Sequence, residues 1–240
     1  MTGGYVQSEQ QALKSRWMIW CEGRIFIVDL AEGLHEKVVV DVNRAMRNAT
    51  GTGDNNLVSS GAAYIGEHRR TLPADVSALL ALLEPDCSFG PRENLRGAEL
   101  PPSFNWWTFH TLKVEVGVFQ TWGGPGGLDF KTDAWRQCPG VEYVLCIHIS
   151  ADLNVCQFRL DSTLNGDMPP TDIVNNSVLE FDARRLLWLP PGADLPAGFN
   201  DPVRVNLFNV VEPILTAARR QIALDQAEQA LEDAAGLPRH

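Results

Sequence analysis

The sequence predicts a mixed α/β (α+β) fold, a sheet flanked by helices, and three observations carry the prediction. Residues 142–149 are almost continuously apolar, the signature of a central strand covered on both faces. Leu112, Val114, Val116 and Val118 alternate with Lys113, Glu115, Gly117 and Phe119, the period of two that a strand requires. Leu34, Val38, Val42 and Met46 recur at helical spacing among polar residues, and so do Leu207, Val211, Ile214, Ala218 and Ile222.

The elements follow in order. Apolar runs at 17–20 and 24–30 flank Cys21, Glu22 and Gly23, which predicts an opening hairpin with glycine at its turn. The first long helix runs through Val42 and is closed by Gly51; its β-branched Val38, Val39 and Val40 favour a strand locally, but the amphipathic pattern outweighs them. Residues 57–66 are read as a strand, 67–74 as a polar connection, 76–89 as an apolar segment and 92–103 as a Pro-rich loop. After the strand at 112–118, residues 128–137 are expected to be helical and to stop at Pro139 and Gly140. Residues 155–160 and 176–187 are expected to extend the sheet, and 205–233 to form a long helix that Pro213 starts or kinks.

Composition narrows the function. The 240 residues carry 30 acids against 20 bases, a formal charge of -10, so the chain as a whole repels polyanions and any nucleic-acid site has to be local. No apolar stretch reaches membrane-spanning length, and the polar N-terminus has no secretory pattern, so no membrane role and an intracellular location are expected. The five cysteines include no C-x-x-C pair, which argues against a disulfide framework or a zinc site. No G-x-S-x-G elbow, Walker loop or G-x-G-x-x-G is present, and the glycines at 123, 124, 126 and 127 lack the lysine and hydroxyl that a phosphate cradle needs.

The residues that suggest chemistry are acidic. Asp86 follows Pro85 at the end of an apolar run, and Glu115 lies inside an apolar strand, where an unpartnered carboxylate is costly. Lys113, Glu115 and Gly117 share one strand face, so Lys113 is one candidate partner. The order of Pro85, Asp86, then Val114, Glu115, Val116, then a helix and an apolar strand resembles the PD-(D/E)XK restriction-endonuclease-like superfamily. The likeness is closer to its Uma branch of restriction endonucleases, and to fungal chains of the same pattern. That branch opens with a glycine-turn hairpin similar to 18–25, continues with a helix bearing an early histidine, matched by His35 and Glu36, and has a Lys-x-x-x-aromatic run that looks like Lys131 and Trp135 followed by Gly140, Val141 and Tyr143. The likeness spans roughly residues 17 to 149.

The resemblance implies a restriction-endonuclease-like domain over 1–200, with 201–240 as a C-terminal helical extension packing on the core or on a partner. It implies a Mg²⁺ (or Mn²⁺) dependent nuclease, with Asp86 and Glu115 as metal ligands and the Val116 carbonyl as a third. Gly117 stands where the motif lysine belongs, so that role falls to Lys131, to Lys113, or is lost; loss would leave a degenerate member of the fold acting in binding or assembly. Glu36 and Gln120 complete the candidate catalytic set. Trp106, Trp107, Phe109 and Trp122 are candidates to stack on nucleobases, and Arg69, Arg70, Arg92 and Arg96 to meet phosphates. Leu224, Ala227 and Leu231 continue the last helix at near-heptad spacing, a candidate homodimer contact.

Overall fold

A computed structural model describes residues 18–21, 24–27, 33–62, 83–93, 95–101, 104–118, 120–124, 126–165 and 168–235. The expected connection at 67–74, with Arg69 and Arg70, lies outside the described residues, as do Phe119, residues 63–66 of the expected strand and residues 76–82 of the expected apolar segment. The hairpin comprises β1 (Met18–Cys21) and β2 (Arg24–Ile27), paired antiparallel with Met18 opposite Ile27 and Cys21 opposite Arg24. Helix α1 (Gly33–Ala49) follows, with His35, Val38, Val42 and Met46 buried along one stripe. The valine run does not break it, because Val38 faces the core while Val40 faces solvent, as a helical period demands. Gly51 sits just beyond its end at φ +79, where a side chain would meet the Gly198 carbonyl.

The main sheet is mixed and six-stranded, in the order β3-β4-β5-β6-β7-β8. Its strands are β3 (Leu57–Ser59), β4 (Cys87–Pro91), β5 (Leu112–Gly117), β6 (Tyr143–Ile149), β7 (Cys156–Ser162) and β8 (Thr171–Asp172). All neighbours pair antiparallel except β5 and β6, which run parallel with Glu115 opposite Cys146. A parallel pair needs a crossover, and helix α2 (Leu128–Arg136) supplies it, so α2 is placed against the strands it joins.

The two faces of β5 enter different cores. Leu112, Val114 and Val116 join the larger one, with α1 and the C-terminal elements, whereas α2 covers the opposite face with Leu128, Ala134 and Trp135 over Val144 and Cys146. Lys113 and Glu115, alternating with the three apolar residues, therefore point toward α2.

Two expectations from the sequence differ from the structure. Residues 176–187 do not extend the main sheet: β9 (Val178–Phe181) pairs with β10 (Val203–Asn206) in a separate two-stranded sheet. The strand stops because Asp182 caps the short helix α3 (Ala183–Leu186), its carboxylate accepting from the Arg185 N–H at 3.0 Å. Val205 likewise belongs to β10 rather than to the last helix, α4 (Leu207–Ala235), whose start is set by Asn206 accepting from the Asn209 N–H at 3.0 Å. Pro213 lies inside α4. Val203, Val205, Leu207, Val211, Ile214 and Leu215 all enter the larger core, whereas Leu224 and Leu231 further along are exposed.

Leu145 on the central strand β6 is fully buried in the larger core. Leu145→Ala is expected to lower the free energy of unfolding by about 2–5 kcal/mol, read from urea denaturation followed by circular dichroism.

Candidate functional site

The charged groups that the strand period aims at α2 need partners, and α2 provides them. Lys131 and Trp135 lie one helical turn apart on the face turned to the sheet. Lys131 Nζ donates to Glu115 Oε2 at 2.8 Å, and the Trp135 indole N–H donates to Oε1. Glu115 is 0% exposed, so this carboxylate is solvated by one ammonium and one indole.

Asp86 approaches from the other neighbouring strand. Its backbone N–H donates to the Val114 carbonyl at 3.1 Å, and its Oδ2 accepts from the Val116 N–H at 2.7 Å, so the side chain prolongs the β4–β5 ladder beyond Cys87. Its Oδ1 lies 3.3 Å from His35 Nε2, and His35 Nδ1 lies 3.5 Å from the half-exposed Glu36 carboxylate. Strand β5, the approach to β4, α1 and α2 thus converge on Asp86, Glu115, Lys131 and His35.

The electrostatics bind these groups into one set. Burial pushes the Asp86 carboxyl up, but the His35 hydrogen bond, the charges of Lys131 and His35 and the Val116 N–H outweigh it and leave Asp86 below its ordinary value. For Glu115, burial and the neighbouring Asp86 charge prevail over Lys131 and Trp135, so its carboxyl is raised. Lys131 resists its own burial because Glu115 and Asp86 hold the ammonium charged well above its ordinary range. These shifts pull the pair in opposite senses: one favours a neutral acid and the other a firm cation. A cation at 2.8 Å with a second donor on the remaining oxygen favours the ionised pair at neutral pH.

Gly117 follows Glu115 on the same face of β5 and is closed in by the loop beyond it. A Cβ at 117 would lie 2.9 Å from the Gln120 carbonyl oxygen and 3.0 Å from the Gln120 Cβ, so the following loop folds back over a site that has no room for a side chain. Gln120 is buried, and its amide donates to the Gly126 carbonyl, which ties it to the glycine-rich turn; none of its hydrogen bonds reaches the acid set.

Lys113 does not pair with Glu115. Its Nζ lies 3.1 Å from His110 Nδ1 and 3.3 Å from Ser88 Oγ, and 5.1 Å from the centre of the Trp135 ring. Arg159, two strands from Glu115 in the row through Cys146, is engaged by Asp161 and Asp129, each at 2.7 Å. Lys131 is therefore the cation bonded to Glu115. Of the four aromatic residues, Phe109 is buried against Phe104 and Trp188, and the half-buried Trp122 ring is engaged by the Arg159 guanidinium 5.2 Å from its centre and by an edge contact with the His148 ring; Trp106 and Trp107 lie apart, beside β3.

In the sequence, His35 and Trp135 fit the pattern of the resemblance but carry no role of their own. The spacing of Lys131 and Trp135 on one helix face was the available signal, and it becomes readable only once the crossover puts that face on Glu115. A scan against protein-family models finds no match, and searches of the curated proteins and of the solved structures find none either. Among the described residues no helix is long and apolar enough to cross a membrane.

Lys113 yields a pH prediction. Burial pushes its ammonium from the ordinary 10.5 down to about 8, against the weaker opposing influence of Cys138, Glu115 and Cys87. The unfolded chain then binds more protons between those two values, so the contribution of Lys113 to stability rises with pH through that window, by on the order of 3 kcal/mol. The thiols of Cys138, Cys146 and Cys156, pushed up by burial to about 12, lower the stability of wild type and variant alike over the same range. The Lys113 contribution is therefore the difference between wild type and Lys113→Met in urea unfolding at pH 8 and pH 10.5, which should grow with pH; parallel profiles for the two proteins would contradict it.

Proposed function

We propose that the chain is a restriction-endonuclease-like domain that hydrolyses phosphodiester bonds of nucleic acid with a divalent metal ion. The observation that carries the reading is the Lys131 ammonium 2.8 Å from Glu115 Oε2, with Asp86 electrostatically coupled to both. This is the acid, acid and lysine composition that the resemblance implies, with the lysine on the helix and position 117 closed to a side chain.

The donor set suits a hard ion. Two carboxylates on adjoining backbone segments offer oxygen ligands, and each oxygen keeps lone-pair capacity beyond its present bond. Asp86 and Glu115 would hold the ion, with the Val116 carbonyl as a further oxygen, and Mg²⁺ or Mn²⁺ would supply an activated water and neutralise charge on the phosphate. The protein groups supply the rest. His35 and the Val116 N–H fix the Asp86 carboxylate, Trp135 fixes Glu115, and the Lys131 ammonium stabilises negative charge developing at the phosphorus oxygens. Glu36, half-exposed beside His35, is placed to accept a proton at the outer edge.

A second reading is favoured by one specific observation. Both Glu115 oxygens are already bonded within the protein and the side chain is fully buried, an arrangement that a degenerate binding or assembly member would retain for stability alone.

Cleavage of single- and double-stranded DNA and RNA, with Mg²⁺ or Mn²⁺, separates the two. The wild type should cleave at least one substrate, Glu115→Ala prepared identically should lose at least a hundredfold, and Mg²⁺ should raise the melting temperature of the wild type but not of Asp86→Ala. Equal background in wild type and Glu115→Ala, with no metal-dependent shift, selects the degenerate reading.

A further inference from the structure

Beside the edge strand β3 lies a cavity of about 780 Å³ that the acid set does not use, bordered by Trp106, Trp107, Arg92 and Asn43. Its size is that of a small-molecule site. Trp107 is 79% exposed, unusual for so large an apolar ring. The ring stands on a formed turn: Asn105 Oδ1 accepts from the N–H groups of Trp107 and Thr108 at 3.0 and 3.1 Å. An indole held out in this way offers a flat face to another planar ring.

The charges of the groove are short in range. Arg47 is paired with Asp54, whereas Arg92 is exposed and makes no ion pair among the described residues, its one side-chain bond being to the Asp54 carbonyl at 3.3 Å. Glu93 on the same rim keeps the local field small. One uncommitted guanidinium beside one exposed indole matches a single anionic phosphate attached to a single aromatic base, and the overall charge of -10 disfavours a long polyanion track.

We infer that this groove binds one nucleotide unit, its base stacked on Trp107 and its phosphate at Arg92. The unit is either a free nucleotide or one residue of a single strand. The groove adjoins the acid set through the backbone: Asn43 bonds Cys87 Sγ at 3.2 Å, and Cys87 follows Asp86. Delivery of a strand from the groove to Asp86, unlike binding itself, rests on the nuclease reading.

The test is fluorescence polarisation in EDTA, which prevents cleavage, with two probes: fluorescein-labelled single-stranded oligothymidylate and a mant-labelled adenine nucleotide. The wild type should bind at least one. Trp107→Ala should weaken that binding about tenfold, and Arg92→Ala should weaken it and flatten its salt dependence. Both residues are exposed, so circular dichroism and melting temperature should remain those of the wild type. Strand binding alone assigns the unit to a polymer, and nucleotide binding alone assigns it to a free ligand. No binding of either probe, or equal binding by wild type and both variants, overturns the inference. No cleavage by the wild type in Mg²⁺ or Mn²⁺, with binding in EDTA that depends on Trp107 and Arg92, bears against the nuclease reading alone.

Discussion

A carboxylate with no exposed surface in the middle of a strand demands a counter-charge, and the contact between Lys131 and Glu115 supplies it. Burying Glu115 alone costs several kcal/mol, so β5 is a tolerable strand only with α2 laid across it. The parallel pairing of β5 and β6 puts α2 there, since the connection between them has to cross the sheet. The same helix turn brings Trp135 to the second carboxylate oxygen, and its ring lies near the buried Lys113. One crossover thus determines both the smaller core and the electrostatics of the candidate site.

Asp86 belongs to the same arrangement from the other side. Its side chain occupies the Val116 N–H, and its remaining oxygen meets His35 from α1. The helices on opposite faces of the sheet therefore meet at one charged set, α1 through His35 and α2 through Lys131. Such a set specifies how helices and strands dock, because displacing either helix would leave a buried charge without its partner. It is also the kind of set in which shifted acidities mark chemistry as readily as structure.

Much of this was legible in the sequence. The mixed fold class, α1, α2 and β5 follow from apolar period, β6 from its continuous apolar run and the hairpin from two apolar runs about a glycine turn, whereas β4 sits in a segment that reads only as apolar. The side of the strand shared by Lys113, Glu115 and Gly117 also followed from the period of two. The identity of the counter-ion did not, because the strand period offers Lys113 on the face of Glu115, and Lys131 reaches Glu115 only through the crossover that lays α2 there. The region 176–187 misled for a local reason: its apolar residues suit a strand, but the Asp182 cap turns the chain into α3 and sends β9 to pair with β10. Exposure of Trp107 against burial of Phe109 is a tertiary outcome that no local pattern encodes.

The measurement closest to the centre of this account is a double-mutant cycle on Glu115→Gln and Lys131→Met, read by urea unfolding at pH 7. If the pair is a single interacting unit, each single variant should lose roughly 3 kcal/mol or more, and the double variant should recover at least about 2 kcal/mol of the sum. Additive losses, with no coupling beyond about 0.5 kcal/mol, would contradict the claim that Lys131 is what makes a buried Glu115 tolerable.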